Sequence, residues 1–118
     1  MWERYNLSGQ NHMSQGKPQD AEQQFRLAVQ EAEKLGPNDP KLATSLNNLA
    51  NCLRTQGKFP DAEATYKRAI ECKEKQVGPL HTDLVPFFEN YAKMLRAAGR
   101  EAEANKLDGK ARAIFAKR

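Results

Sequence analysis

Two histidines, two cysteines and fifteen carboxylates are the first side chains to weigh for acid–base, nucleophilic or metal chemistry. A nucleophilic enzyme needs a nucleophile, a base and an orienting group held together. His12 and His81 lie far apart in the chain; His12 takes a core-type position and His81 a junction. Cys52 stands where the local pattern suits leucine, which predicts a buried structural thiol. Cys72 sits among the charged residues Glu71 and Lys73. Neither Cys-x-x-Cys nor His-Glu-x-x-His occurs, so the spacing predicts no metal site. The glycines are isolated, and no phosphate-cradling loop forms from them. Glu22, Glu31, Glu33, Glu63, Glu71 and Glu74 have Lys and Arg close by in sequence, the pattern of solvated helix faces with i,i+4 pairs. The sequence therefore predicts no enzyme, no metal and no cofactor.

Charge and hydropathy narrow the alternatives. The chain has 118 residues, a net charge of +4, 39% hydrophobic and 29% charged residues, and a mean hydropathy of −0.84. At this length it reads as one domain, residues 1–118. No run of about 18 apolar residues exists, which predicts no membrane insertion. The start, Trp2-Glu3-Arg4-Tyr5-Asn6, is too polar for a secretory signal. With no disulfide framework, reduced thiols and a cytoplasmic location are expected. Residues 1–36 carry four positive and five negative groups, residues 37–78 seven and five, and residues 79–118 eight and five. The basic end, with Lys106, Lys110, Arg112, Lys117 and Arg118, is interrupted by carboxylates and lacks interleaved aromatics. Nucleic-acid binding is not expected from it.

The elements that position these side chains follow from a repeat. Gly16, Gly57 and Gly99 are 41 and 42 residues apart, and Ala21, Ala62 and Ala104 keep that spacing, as do Ala28, Ala69 and Ala111. Gly36-Pro37 and Gly78-Pro79 mark the junctions. Sixteen alanines against nine Val, Ile and Thr favour helices over a sheet. Leu42, Ala43, Leu46, Leu49, Ala50 and Leu53 follow the i, i+3, i+4, i+7 rule. Gly57 breaks that helix, and Pro60 suits the first turn of the next. Asp39-Pro40 is a cap and first-turn pair. Six helices are predicted, over about 2–15, 18–34, 40–56, 60–76, 83–98 and 100–117. They form three units, about 2–36, 42–78 and 84–118. Small residues at equivalent places (Gly9, Ala50 and Ala92; Ala21, Ala62 and Ala104) let paired helices cross closely. Tyr5, Leu46 and Phe88, with Phe25 and Tyr66, fill the spaces between. One pair cannot bury its apolar face alone, so the units stack.

Leu46-Asn47-Asn48-Leu49-Ala50, Gln56-Gly57-Lys58-Phe59, Asp61-Ala62-Glu63 and Tyr66-Lys67-Arg68-Ala69-Ile70 resemble the tetratricopeptide repeat. The 42-residue period and Leu35-Gly36-Pro37 resemble its kinesin light chain variety. The resemblance spans nearly the whole chain and is strongest in the middle unit. It departs at Ser8 and His12 in the first unit, and at Asp108 in the third, where the others have Phe25 and Tyr66. It implies an all-α, right-handed superhelical stack of three helix-turn-helix repeats. A carboxylate at 108 would make the last face wettable, so the third unit reads as the end of the array. Ile114 and Phe115 are expected to fold back on it.

The resemblance also implies a function. In this family the first helix of each unit lines a concave groove. The equivalent positions are Asn6, Asn47 and Glu89; Leu7, Asn48 and Asn90; Gln10, Asn51 and Lys93; and Met13, Arg54 and Arg96. An asparagine amide is both donor and acceptor, so a row of them suits the backbone of an extended peptide. In similar repeats asparagine at these sites grips peptide backbone. Arg54, Lys93 and Arg96 would favour an acidic or carboxylate-ended segment. The expected peptide-binding residues are thus Asn6, Gln10, Asn47, Asn48, Asn51, Arg54, Asn90, Lys93 and Arg96. The expected partner is another protein or a peptide. The alternative is a structural scaffold or a self-associating module forming a weak homo-oligomer.

Overall fold

The structure, a computed structural model, describes residues 1–116. Among these, six α-helices follow one another: α1 (Trp2–Ser14), α2 (Pro18–Lys34), α3 (Pro40–Thr55), α4 (Phe59–Val77), α5 (Val85–Ala97) and α6 (Glu101–Ala116). No strand occurs among the described residues. Pro18 and Pro40 open their helices, and Pro60 and Pro86 stand second, where the missing N–H costs no helical bond. The Asp39 carboxylate accepts the Lys41 amide at 2.9 Å, the expected cap. The fifth helix begins two residues later than the spacing predicts, because Thr82–Leu84 form a single 3₁₀ turn first. In that turn the His81 ring nitrogen accepts the Asp83 amide at 3.0 Å. Lys117, Arg118 and the last position predicted for α6 lie outside the described residues.

The turn inside each pair is one motif used three times. The amide of Lys58 reaches back to the Leu53 carbonyl at 2.9 Å, and the Gly57 amide to that of Arg54 at 2.9 Å. This closure satisfies helix-end carbonyls and needs a positive φ, which Gly57 supplies at +76°. The bonds Lys17 to His12 (2.8 Å) and Arg100 to Leu95 (2.7 Å) repeat it. The next helix starts at once, so α1 and α2, α3 and α4, and α5 and α6 pack as pairs.

The repeating small residues point inward. Ala21, Ala28, Ala50, Ala62, Ala69, Ala92 and Ala104 are all fully buried. At Gly9 the requirement is strongest: a Cβ there would lie 2.5 Å from the Phe25 ring. Around these contacts Leu46, Leu49, Leu53, Tyr66, Leu84, Met94, Leu95 and Ile114 make one core running through all three pairs. Ile114 folds back as expected, whereas Phe115 stays 53% exposed.

Polar bonds fix the pairs to one another. Cys52 donates to the Pro18 carbonyl, and Gln56 and Lys58 both reach the Glu22 carboxylate, at 2.9 and 3.0 Å. Arg68 pairs with Glu33 at 2.7 Å. Further along, Arg100 grips Glu63 through two nitrogens, each at 2.9 Å, while the Tyr91 hydroxyl donates to the same carboxylate at 2.8 Å. Glu63 is therefore the hub of a half-buried network rather than part of a solvated face. The Arg100 bonds hold its carboxyl below the usual carboxylate range.

Candidate peptide-binding face

Helices α1, α3 and α5, the first of each pair, lie side by side. The Trp2 indole donates to Ser45, and Asn48 donates to Asn6 at 2.8 Å, joining α1 to α3. Arg54 donates to the Asn90 main-chain oxygen at 3.1 Å, joining α3 to α5. In α3 the apolar stripe Leu42, Leu46, Leu49 and Leu53 takes the inner side. The positions left for the opposite side include Thr44, Asn47, Asn48, Asn51, Arg54 and Thr55, none of them apolar.

Each residue expected in the groove has a distinct state. Gln10 and Lys93 are exposed, and no ion pair of Lys93 occurs among the described residues. Asn6 and Asn48 are half-buried and bonded to each other. Asn51 is held from behind, its Oδ1 accepting the Tyr66 hydroxyl. Among the described residues the Asn51 NH₂ group has no hydrogen-bond partner. Asn47 is half-buried with an Oδ1 that is enclosed and has no partner.

Asn90, Lys93 and Arg96 line one open surface cavity of about 340 Å³ together with Pro86, Glu89 and Asp108. Arg96 is engaged: it donates to Glu101 at 3.1 Å, to Asn105 at 3.3 Å, and pairs with Asp108. The expectation for Asp108 thus changes in kind. The carboxylate does wet the position that Phe25 and Tyr66 fill, but it is half-buried and turned onto Arg96. The amide row is visible in the sequence only as equivalent positions; the pairing of Arg96 with Asp108 depends on side-chain reach between α5 and α6, twelve residues apart.

Cys52 and Cys72 are buried and free, and burial pushes both thiols up, away from the reactive thiolate. Burial raises Tyr66 to about 12. His12 is half-buried with an enclosed Nδ1 lacking a partner, and His81 caps its turn. Among the described residues no group of His, Cys, Asp or Glu is placed to hold a metal ion, and no helix is long and apolar enough to cross a membrane. A second cavity, of about 330 Å³, opens between α2 and α4 over Val29, Leu46 and Leu49, with Arg68 and Glu33 at its rim. Its floor is the core itself, and its polar rim is already paired.

Comparison with known proteins bears on this geometry. A model of the family described as tetratricopeptide repeat matches residues 4–75, the first two helix pairs. No curated protein matches the sequence. Among solved structures, a Podosopora anserina protein with nearly identical TPR-like repeats of the kinesin light chain kind is 22% identical, with a TM-score of 0.84 over 98% of this chain and 55% of its own. A second structure of that protein gives 21% identity, a TM-score of 0.83, and coverage of 98% and 56%. BtubC (BKLC) from P. vanneervenii gives 22% identity and a TM-score of 0.60, over 96% of this chain and 62% of its own. The chain spans a little over half the length of these structures, and the likeness is one of fold.

Proposed function

The chain belongs to the tetratricopeptide repeat family, and from that premise we propose that the face made by α1, α3 and α5 binds an extended peptide segment of a partner protein. Repeats of this family are in general protein–protein interaction modules. The observation that carries the finer reading is the row of amides Asn6, Asn47, Asn48, Asn51 and Asn90 recurring on the first helices, with the exposed Lys93 beside it. An extended peptide presents N–H and C=O groups at regular intervals, and an amide side chain can meet either, as acceptor or as donor. Arg54 and Lys93 add positive charge to the same face, which favours acidic side chains in the ligand. Gln10 extends the polar row at its first end. No step of this reading needs a catalytic group, a metal or a cofactor.

The test is a fluorescence-anisotropy titration of acidic peptides against the wild type and an Asn47→Ala, Lys93→Gln double variant. Neither residue makes a hydrogen bond or ion pair within the described chain, and circular dichroism checks that the variant stays folded. Binding weakened about tenfold or more supports the reading. Equal binding by both proteins rejects the assigned face.

A second reading, self-association, has support in Phe115 and Leu80, 53% and 51% exposed. Sedimentation over a concentration range checks it; a strict monomer at high concentration rejects it.

A further inference from the structure

The joints between helix pairs obey one rule. At the first joint the basic residue of the later turn, Lys58, reaches back to Glu22 on the second helix of the earlier pair, at 3.0 Å. At the second joint Arg100 reaches back to Glu63 in the same way, at 2.9 Å. The repeat makes these residues equivalent: Lys58 and Arg100 are 42 apart, Glu22 and Glu63 are 41 apart. Cys52 and Gln56 of α3 add donors to the first joint, to the Pro18 carbonyl and to Glu22. At the second joint Tyr66 of the earlier pair stacks on Tyr91 of the later one.

The same spacing identifies what is left over at the two ends of the stack. On the first pair, Lys17 is equivalent to Lys58, Gln15 to Gln56, Asn11 to Cys52 and Ser8 to Tyr91. On the third pair, Asn105 is equivalent to Glu63, Asp108 to Tyr66, and Glu101 to Pro18. Asn11, Gln15 and Lys17 are exposed and Ser8 is half-buried, and none of these side chains makes a hydrogen bond among the described residues. All four can donate. On the opposite end the oxygens of Asn105 and Asp108 and the Glu101 carbonyl can accept. A surface that only has to be wetted needs polar groups in any order. Here donors stand on one end where acceptors stand on the other, and both members of the Tyr66–Tyr91 contact are replaced together, by Asp108 and Ser8.

We infer that the first pair of one copy stacks on the third pair of a second copy and continues the superhelix across the joint. Lys17 of the incoming copy donates to Asn105, its Ser8 hydroxyl to Asp108, and its Asn11 amide to the Glu101 carbonyl. Asp108 keeps its bond to Arg96, because a carboxylate accepts at both oxygens. Apolar side chains stand at the same two ends, Met1 on the first pair and Phe115 on the third, 62% and 53% exposed. The contact is heterologous and leaves a free end on each side, so copies add one after another without closing into a dimer. Exposed polar groups hold weakly, so the association needs high concentration. The joint rests on the self-association reading, whose surface it specifies, and is independent of the peptide-binding face.

Sedimentation of the intact chain from about 10 μM to about 1 mM tests it. Asn105→Glu restores at the third pair the acceptor that Glu22 and Glu63 provide, Lys17→Gln removes the donor, and Ser8→Asp sets a second carboxylate against Asp108. Circular dichroism checks that each variant is folded. The average mass of the wild type should rise steadily with concentration and pass the dimer without a plateau. Asn105→Glu should lower the concentration needed about threefold or more, with the gain lost when Lys17→Gln is added, and Ser8→Asp should raise it. A wild type that stays monomeric throughout overturns both the joint and self-association. Association that levels off at a dimer overturns the joint and leaves self-association standing. So does association that ignores all three substitutions and is abolished by Leu80→Glu.

Discussion

The rings of Tyr66 and Tyr91 stack at 5.7 Å between centroids, inclined by 12°, and so join the second helix pair to the third. Each ring also carries a polar bond. Tyr66 donates to Asn51 on the proposed binding face, and Tyr91 donates to Glu63 in the network behind it. One stacked contact therefore links the rigidity of the core to the orientation of a groove amide. Such offset aromatic pairs add about 1 kcal/mol beyond the area they bury.

Tyr66→Phe keeps the stack and removes only the hydroxyl. Asn51 then loses the donor that orients it. Stability should fall by about 1 kcal/mol, read from urea unfolding. Peptide affinity should fall as well, since the Asn51 amide becomes free to rotate. Tyr91→Ala removes the stack and a bond to Glu63 together, and should cost about 3 kcal/mol. A loss below about 1 kcal/mol for Tyr91→Ala would contradict the role given to this contact.

Gly9→Ala tests the closest crossing. Alanine favours a helix over glycine by about 1 kcal/mol. The added Cβ would lie 2.5 Å from the Phe25 ring, which is itself buried. Overpacking of a core costs about 1–3 kcal/mol, so the net expectation is a loss of about 1 kcal/mol. Phe25→Leu in the same chain should recover part of it. A stabilised Gly9→Ala protein would mean that the ring moves aside freely.

Acid should loosen the joint between the first two pairs. Burial raises the Glu22 pKa, but hydrogen bonds from Gln56, Arg26 and Lys58 outweigh it and bring it to about 2. A carboxylate whose folded pKa lies below its unfolded value stabilises the fold above the unfolded pKa. That contribution is lost as pH falls from about 4.5 towards about 2. Arg26 and Lys58 are about half exposed, so solvent screening limits the effect to about 1 kcal/mol. Urea midpoints measured across this range should fall less in Glu22→Gln than in the wild type. Parallel curves would remove Glu22 from the account.

Much of the fold was legible because its cause is periodic. The alanines at 21, 62 and 104 and at 28, 69 and 111 recur with the period of the pairs, and a helix crossing repeats its need for small residues wherever it repeats. Asp39 and the first-turn prolines are local signals and mark helix starts within a residue or two. The 3₁₀ turn at Thr82–Leu84 was not legible, since Pro86 is equally at home in either geometry. The Glu63 network joins α4 to Tyr91 of α5 and to Arg100 just before α6, 28 and 37 residues away, and nothing in the local pattern around Glu63 separates it from surface glutamates such as Glu71. The face itself shows the same division. The register of Asn6, Asn47, Asn48, Asn51 and Asn90 follows from the repeat. Which amides are already bonded, and that Asp108 reaches Arg96, follow only from side-chain geometry between helices.

The most direct test of the proposed face is an NMR titration of the side-chain amide signals with an acidic peptide. The asparagine and glutamine NH₂ groups report on opposite sides of the molecule: Asn47, Asn48 and Asn90 belong to the face of α3 and α5, whereas Gln30 lines the cavity between α2 and α4. The account predicts that the Asn47, Asn48 and Asn90 signals shift in a saturable way while Gln30 stays still. Saturable shifts at Gln30 with the three asparagine signals unmoved would contradict it.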